Sequence, residues 1–467
     1  MKRLAGSFVF LALCGCTVGP NYKRPQIAVP GTFRGAPPAS PDAATSLADT
    51  KWQNLFADPV VNQMITTAIQ NNFDIRIAAE RAEQARAQLG ITRANQYPFL
   101  DAQASVTSLR TSTIGSNPLV PATTNTIQAT YTTLGFALNW ELDLWGRLRR
   151  LTEAARARYL ATEENRRAVM VSLISDVFEA YFQLLEQDLE LDISRRTQQT
   201  AQESLRIVKL RNERGAASGL DVRQAEQLVY TAGAAIAAAE RVIPQTENQL
   251  SLLQGSVPAG QARGRKLDDI PLPAETPAGL PSSLLERRPD IRQAEQSLIA
   301  ANAEIGAARA LYFPDLSLSA FAGGQSRYLS QIASGPARVY NVAPSALQAI
   351  FHGGQIRNQV RQAEAQQREL LVTYQQTIYT ALREVSDALV GYDRLREQYN
   401  QQGELVRTLA DRVRLSELRY RGGLDSYLQV LDAQRNLFTA QLELARVSQL
   451  ERTAVVQIYR ALGGGWQ

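Results

Sequence analysis

The side chains that most often do chemistry are scarce in this 467-residue chain. His352 is the single histidine, set in Phe351-His352-Gly353-Gly354, so nucleophile–histidine catalysis would rest on that one ring. Gly422-Gly423 lacks the Gly-Lys-Ser/Thr that must follow in a phosphate loop. Met64 and Met170 are the only methionines after Met1, too few for a copper(I) relay. No catalytic group and no resident metal is therefore expected, and the chain does not read as an enzyme. Charge gives no other activity. Lys and Arg number 50 against 45 Asp and Glu, a net +5, but the arginines are interleaved with Glu, Asp and Gln. That is the pattern of solvated helix surfaces, with no basic block for nucleic acid.

Two cysteines remain, Cys14 and Cys16, and they suit a covalent modification. Lys2 and Arg3 precede an apolar run from Leu4 to Leu13, followed by Leu13-Cys14-Gly15-Cys16: a basic n-region, a short h-region and a cleavage site. Ten apolar residues are too few to cross ~30 Å of hydrocarbon as a helix. The ending resembles a bacterial lipobox, which makes Cys16 the lipidated N-terminus, with a covalent N-terminal lipid and no other cofactor. Thr17, a residue other than Asp, implies sorting to the outer membrane. Cleavage there leaves one cysteine, so the mature chain forms no internal disulfide and no thiolate metal site. No run of 18 apolar residues follows, and any crossing must be a β-barrel.

The sequence is one unit written twice. A shift of 216 sets Asp74-Ile75-Arg76 on Asp290-Ile291-Arg292, Gly90 on Gly306, Arg93-Ala94 on Arg309-Ala310 and Pro98 on Pro314. Further on, a shift of 207 sets Arg214-Gly215 on Arg421-Gly422 and Gln227 on Gln434. The organisation that follows is a signal peptide over 1–15, a Pro-rich strap over 16–59 and a first repeat over 60–255 (helix, β-hairpin, long helix, return helix). A connector over 256–284 then leads to a second repeat over 285–467.

Within each repeat the period changes in the same order. A helix stops before Pro98 or Pro314. Then Leu134, Phe136, Leu138, Trp140, Leu142 and Leu144 alternate with mostly polar neighbours, a strand with one oily face; Leu316, Leu318, Ala320 and Ala322 repeat it. Tyr97, Phe99, Tyr312, Phe313, Trp140 and Trp145 cluster at the strand ends nearest the helices, where an interfacial belt sits. Next, helix formers run without proline from Leu148 to about Glu213 and from Ile356 to about Tyr420, reaching ~100 Å at 1.5 Å per residue. Leu371, Tyr374, Ile378, Ala381, Val385, Ala388, Tyr392, Leu395 and Tyr399 form a coiled-coil seam. Each long helix meets a glycine turn and returns shorter, as a helical hairpin. Two strands per repeat give four per chain, whereas small closed membrane barrels need about eight, so the chain must oligomerise.

Cys16-Thr17-Val18-Gly19-Pro20, Trp140 through Arg147, Leu284 through Ile291 and Tyr420 through Arg435 resemble, in order, the outer-membrane efflux factors of TolC type, specifically the NodT/OprM lipoprotein branch. The resemblance implies a mainly α fold with a membrane β-barrel portion: a homotrimer with a twelve-stranded barrel, four strands per chain, continued by a long α-helical coiled-coil periplasmic tunnel. It also implies docking to a periplasmic membrane-fusion adaptor and an inner-membrane pump, of RND type. The family narrows the tunnel at its periplasmic tip, at positions matching Leu428, Asp432 and Arg435, with Tyr420 before the turn; spacing puts 428, 432 and 435 on one helix face. Alone, Asp432 reads as solvated and Leu428 as coiled-coil core. In a trimer Leu428 makes an apolar ring and Asp432 an anionic one, whose converging carboxylates repel and draw cations. The adaptor is expected against the tips, at Arg214, Gly215, Gly219, Arg421, Gly422, Gly423 and Asp425. Export of small toxic compounds is the expected role; the outlet of a type I protein-secretion system and a pore-less coiled-coil lipoprotein are the alternatives.

Overall fold

The computed structural model describes residues 17–36, 46–110, 128–273 and 277–466. The leader, Cys16, Pro37, Pro38, Pro41 and the break at Asn117, Pro118 and Pro121 lie outside them.

Helices α1 (Pro59–Asn71) and α2 (Phe73–Ala94) open the first repeat. Asp58 caps α1, its Oδ1 accepting from Val60 N at 2.8 Å ahead of a proline at the first helical position. Asn72 then separates the two helices, its Oδ1 accepting from Asp74 N and Ile75 N. Strands β1 (Phe99–Arg110) and β2 (Gln128–Glu141) follow, then α3 (Arg147–Glu213) and α4 (Gly219–Leu253). After a single turn, α5 (Leu284–Arg287), the order recurs as α6 (Pro289–Ala310), β3 (Asp315–Ser326), β4 (Arg338–Leu347), α7 (Gln355–Arg421) and α8 (Tyr427–Ala461). The long helices α3 and α7 are both 67 residues and the return helices α4 and α8 both 35. Helix α4 runs through Pro244, where the missing amide would ordinarily end a helix.

Backbone contacts divide the chain into two compact units. One comprises Met1–Pro25, Glu83–Ala161 and Glu295–Thr373; the other comprises Gln26–Ala82, Thr162–Ala294 and Tyr374–Gln467. Each draws on both repeats, so the duplicated halves do not fold as separate bodies.

The first unit holds a four-stranded antiparallel sheet in the order β1-β2-β3-β4. Directly paired residues share a face. On one face Leu100 pairs with Leu138 and Ala102 with Phe136; Leu138 meets Ala320 and Phe136 meets Ala322; these meet Val342 and Tyr340. On the other, Phe99 pairs with Asn139 and Asn139 with Ser319, which pairs with Ala343, while Gln103, Thr133, Gln325 and Asn341 share this side. The sheet therefore has the apolar and wet faces that the alternation predicts. Its apolar side chains stay exposed within the chain: Phe136 is 59% accessible and Tyr340 85%. Tyr97, Phe99, Tyr312 and Phe313 are exposed too, and Trp145 stacks on Phe313 with ring centres 4.7 Å apart.

The start of the strap is fixed in the same unit. Val18 N donates to Trp145 O at 3.0 Å, and the buried Arg150 donates to Val18 O, Gly19 O and Asn21 Oδ1. Gly19, at φ +97°, passes so close to Gly306 that a Cβ would lie 2.4 Å from the Gly306 Cα. Arg24 and Tyr22 both bond Glu295.

In the second unit Phe56 packs edge-on against Phe178 and Phe182, with ring centres 5.3 and 4.8 Å apart. One stretch of α3 is apolar enough by composition to cross a membrane, but 61% of it is buried within the chain, around Val177, Phe178, Tyr181, Phe182 and Leu184. Along α7 the seam holds: Tyr374, Ile378, Ala381 and Val385 are at most 1% exposed.

The sheet register sets a prediction. Arg at Leu138 should cost about 2–4 kcal/mol where that face meets hydrocarbon near its midplane, whereas Arg at Asn139 should be tolerated. Urea-gradient unfolding in lipid vesicles measures both, and equal costs would show the phase to be wrong.

Candidate functional site

The two hairpin tips are built alike. Each long helix ends in a left-handed glycine, Gly215 at φ +72° and Gly423 at φ +74°. The next amides fold back in the same pair of bonds: Gly215 N to Asn212 O with Ala216 N to Arg211 O, and Gly423 N to Tyr420 O with Leu424 N to Arg419 O. That is the Schellman stop, which satisfies carbonyls otherwise orphaned at a helix end. It corrects the sequence pairing of the tips: the shift is 208 residues, not 207. The left-handed position demands a residue without Cβ strain, and in the second tip Gly423 fills it, not Gly422. The helix starts agree, Ser218 and Ser426 being the N-cap residues. Ser218 makes a reciprocal capping box with Asp221, while Asp425 instead pairs with Arg419 at 2.5 Å.

The return helices pack against one another and against α3. Tyr427, Val430 and Leu431 of α8 join Ala225 and Leu228 of α4 and Ala201 and Val208 of α3 in one buried cluster, with Tyr420 at its edge. Tyr420 meets Tyr427 edge-on at 5.4 Å and carries the Arg211 guanidinium over its ring at 4.6 Å. Burial pushes the Tyr427 hydroxyl up to about 12, so it stays neutral.

With 427, 430 and 431 turned inward, Leu428, Asp432 and Arg435 face away from this cluster. Leu428 is 50% exposed and Arg435 is exposed. Asp432 is not a bare carboxylate: Arg412 of α7 donates to its Oδ2 at 2.5 Å and Asn436 at 3.2 Å. Sequence reasoning missed Arg412, although the signal was present. In an antiparallel hairpin, residues equidistant from the turn face each other, and 412 and 432 are each ten residues from Gly422.

Of the remaining tip residues, Arg214 and Arg421 are exposed, the latter near Glu417 at 3.5 Å. Gly219 begins α4. Beside them lie two exposed apolar side chains that the sequence reading did not single out, Leu220 at 66% and Leu424 at 71%. The tips thus combine a hydrogen-bonded turn, charge and two exposed leucines. The exposed face of α8 offers a leucine and an arginine–aspartate pair.

The family model described as outer membrane efflux protein matches residues 64–256 and 280–464. The chain is 40% identical over 465 residues to the probable efflux pump outer membrane protein TtgC of Pseudomonas putida, covering 97% of this chain and 93% of that one. It is 35% identical over 463 residues to the cation efflux system protein CusC of Escherichia coli, covering 98% of each. Its fold is similar to the open-state MtrE outer membrane channel of Neisseria gonorrhoeae, with a TM-score of 0.85, 31% identity, and 97% and 99% of the two chains covered. A four-stranded sheet with one oily face, joined to paired helical hairpins and matched over nearly its whole length, belongs to the outer membrane efflux protein family.

Proposed function

We propose that this chain is the outer-membrane channel subunit of a tripartite efflux system, and that three copies close one barrel of twelve strands continued by a periplasmic helical tunnel. The observation that carries the reading is the sheet: its apolar face runs unbroken across all four strands while its two edge strands have no partner among the described residues. Copies must supply the missing edges, because unpaired backbone groups in hydrocarbon cost several kcal/mol each. A pore-less coiled-coil lipoprotein has no use for such a sheet. Small toxic compounds are the proposed cargo, in keeping with relatives described as efflux proteins. The periplasmic membrane-fusion adaptor and an RND-type inner-membrane pump are the proposed partners.

Leu428, Asp432 and Arg435, with Tyr420 behind them, form the proposed periplasmic gate. Around a three-fold axis Leu428 makes an apolar ring that dewets. Arg412 offsets Asp432, so the charged ring is a set of ion pairs rather than three isolated carboxylates. Closed trimers in planar bilayers should conduct poorly. Leu428→Ala with Asp432→Ala should raise single-channel conductance and weaken cation preference, whereas Arg412→Ala, which uncovers the carboxylates, should strengthen it. Unchanged conductance and selectivity in both would put the constriction elsewhere.

The adaptor's proposed seat is the pair of tips, at Arg214, Gly215, Gly219, Arg421, Gly422, Gly423 and Asp425, with the exposed Leu220 and Leu424 beside them. Leu220→Asp with Leu424→Asp should abolish dye efflux from cells while purified trimers keep their bilayer conductance. Loss of both together would mean that the leucines serve folding instead.

Cys16 is the proposed lipid attachment. Val18 and Gly19 are bonded to the body, so the anchor starts from a fixed point. Intact mass should show a diacylglyceryl-modified, acylated Cys16, and Cys16→Ala should impair outer-membrane sorting more than trimer assembly, read by membrane fractionation. A mature chain beginning elsewhere without acyl mass would refute it.

A further inference from the structure

Helix α6 meets α3 along a seam of small side chains. Ala300 and Ala303 of α6 and Ala154 and Ala157 of α3 form one buried cluster, and Glu304 pairs with Arg158 beside it. Through the duplication, α6 corresponds to α2 with a shift of 216 residues and α3 to α7 with a shift of 208. Each seam residue therefore has a counterpart. Ala300, Ala303 and Glu304 map onto Gln84, Ala87 and Gln88 of α2, while Ala154, Ala157 and Arg158 map onto Gln362, Ala365 and Gln366 of α7. The four alanines of the α3–α6 seam are at most 3% exposed, yet all six counterparts are exposed. They also lie beside the two open edges of the sheet, because α2 leads into β1 and α7 follows β4. A groove of about 360 Å³ runs along this face of α7, lined by Gln362, Ala365, Gln366, Glu369 and Leu370.

We infer that the groove on α7 receives α2 of a second copy, and that the joint is a glutamine ladder: Gln362 and Gln366 against Gln84 and Gln88 of the next copy, with Ala365 and Ala87 packed among them. The inference rests on the proposed trimer and names the surface that joins its members. One chain completes the α3–α6 seam and carries the two halves of its counterpart on different helices at opposite sheet edges, so the second half comes from another copy. Such a joint is heterologous: every copy offers α7 and is met on α2, and the ring closes. Glutamines four residues apart share a helix face, and the alanine between them leaves room for a facing side chain. The two seams differ in charge. An ion pair and alanines inside the chain give way to amides between chains. Each amide carries both a donor and an acceptor, so facing glutamines satisfy one another with no charge for salt to screen.

Cysteine cross-linking of the full-length protein in membranes tests the joint, because a disulfide forms only where Cβ atoms come within about 4.5 Å. Ala87→Cys with Gln362→Cys, and Ala87→Cys with Ala365→Cys, are oxidised mildly and run on denaturing gels without reductant. The expected result is covalent dimers and trimers from at least one pair. Each single cysteine variant, and the pair Arg86→Cys with Gln362→Cys on another face of α2, should give none. Gln84→Glu with Gln88→Glu should lower the temperature at which the trimer band disappears. Adding Gln362→Arg and Gln366→Arg should restore it, now with a dependence on salt that the wild type lacks; a variant that had lost its fold would not be rescued in this way. Trimers that form but cross-link through neither pair would overturn the joint and leave the trimer standing. An acidic variant as stable as wild type, or one that the arginines do not rescue, would overturn the ladder. A protein that sediments as a monomer in detergent would sink the trimer reading itself, and the joint with it.

Discussion

Hydrocarbon offers a backbone amide nothing to bond with, and that one fact governs the barrel portion of this molecule. Strands β2 and β3 are paired on both sides; among the described residues β1 and β4 are paired on one. An oily face across all four strands invites the sheet into lipid, while its two open edges forbid it to go there alone. Entry into the membrane and association with other copies are therefore one event, not two. The exposed Phe136 and Tyr340, which would be a liability on a soluble protein, suit the environment that the edges require to be shared.

Away from the sheet, different forces hold different faces. The inward face at the hairpin tips is sealed by Tyr427, Val430 and Leu431 against the first hairpin, and changing it would open a buried apolar cluster. The outward face carries an exposed ion pair instead, Asp432 with Arg412 of α7, and exposed pairs of this kind contribute little because water screens them. Helix α8 thus has a tightly packed side and a loosely held side. Movement of the outward residues need not disturb the packing behind them.

Much of this was legible in the sequence because the patterns were long. The alternation around Trp140 fixed the sheet faces, and the absence of proline located both long helices to within one residue at each end: 147–213 and 355–421 against expectations of 148–213 and 356–420. What was lost was short-range or three-dimensional. Two adjacent glycines at 422 and 423 hid which one turns left-handed, and the tip alignment slipped by one. Arg412 was invisible to helix-face arithmetic because its partner lies across a turn.

The equal lengths of the two hairpins bear on how this chain tolerates change. Offsets between the repeats are 216 residues for α2 and α6 and for β1 and β3, and 208 for α3 and α7. The whole eight-residue difference is therefore absorbed within the β-hairpins and their joints to the helices. One residue inserted in a long arm would turn everything beyond it by about 100° and carry it 1.5 Å along the axis, bringing polar side chains into the seam. Insertions and deletions should survive selection where strands are joined and almost nowhere along the arms, so family members of different length would differ chiefly in what they display beyond the barrel while their helices keep a common measure.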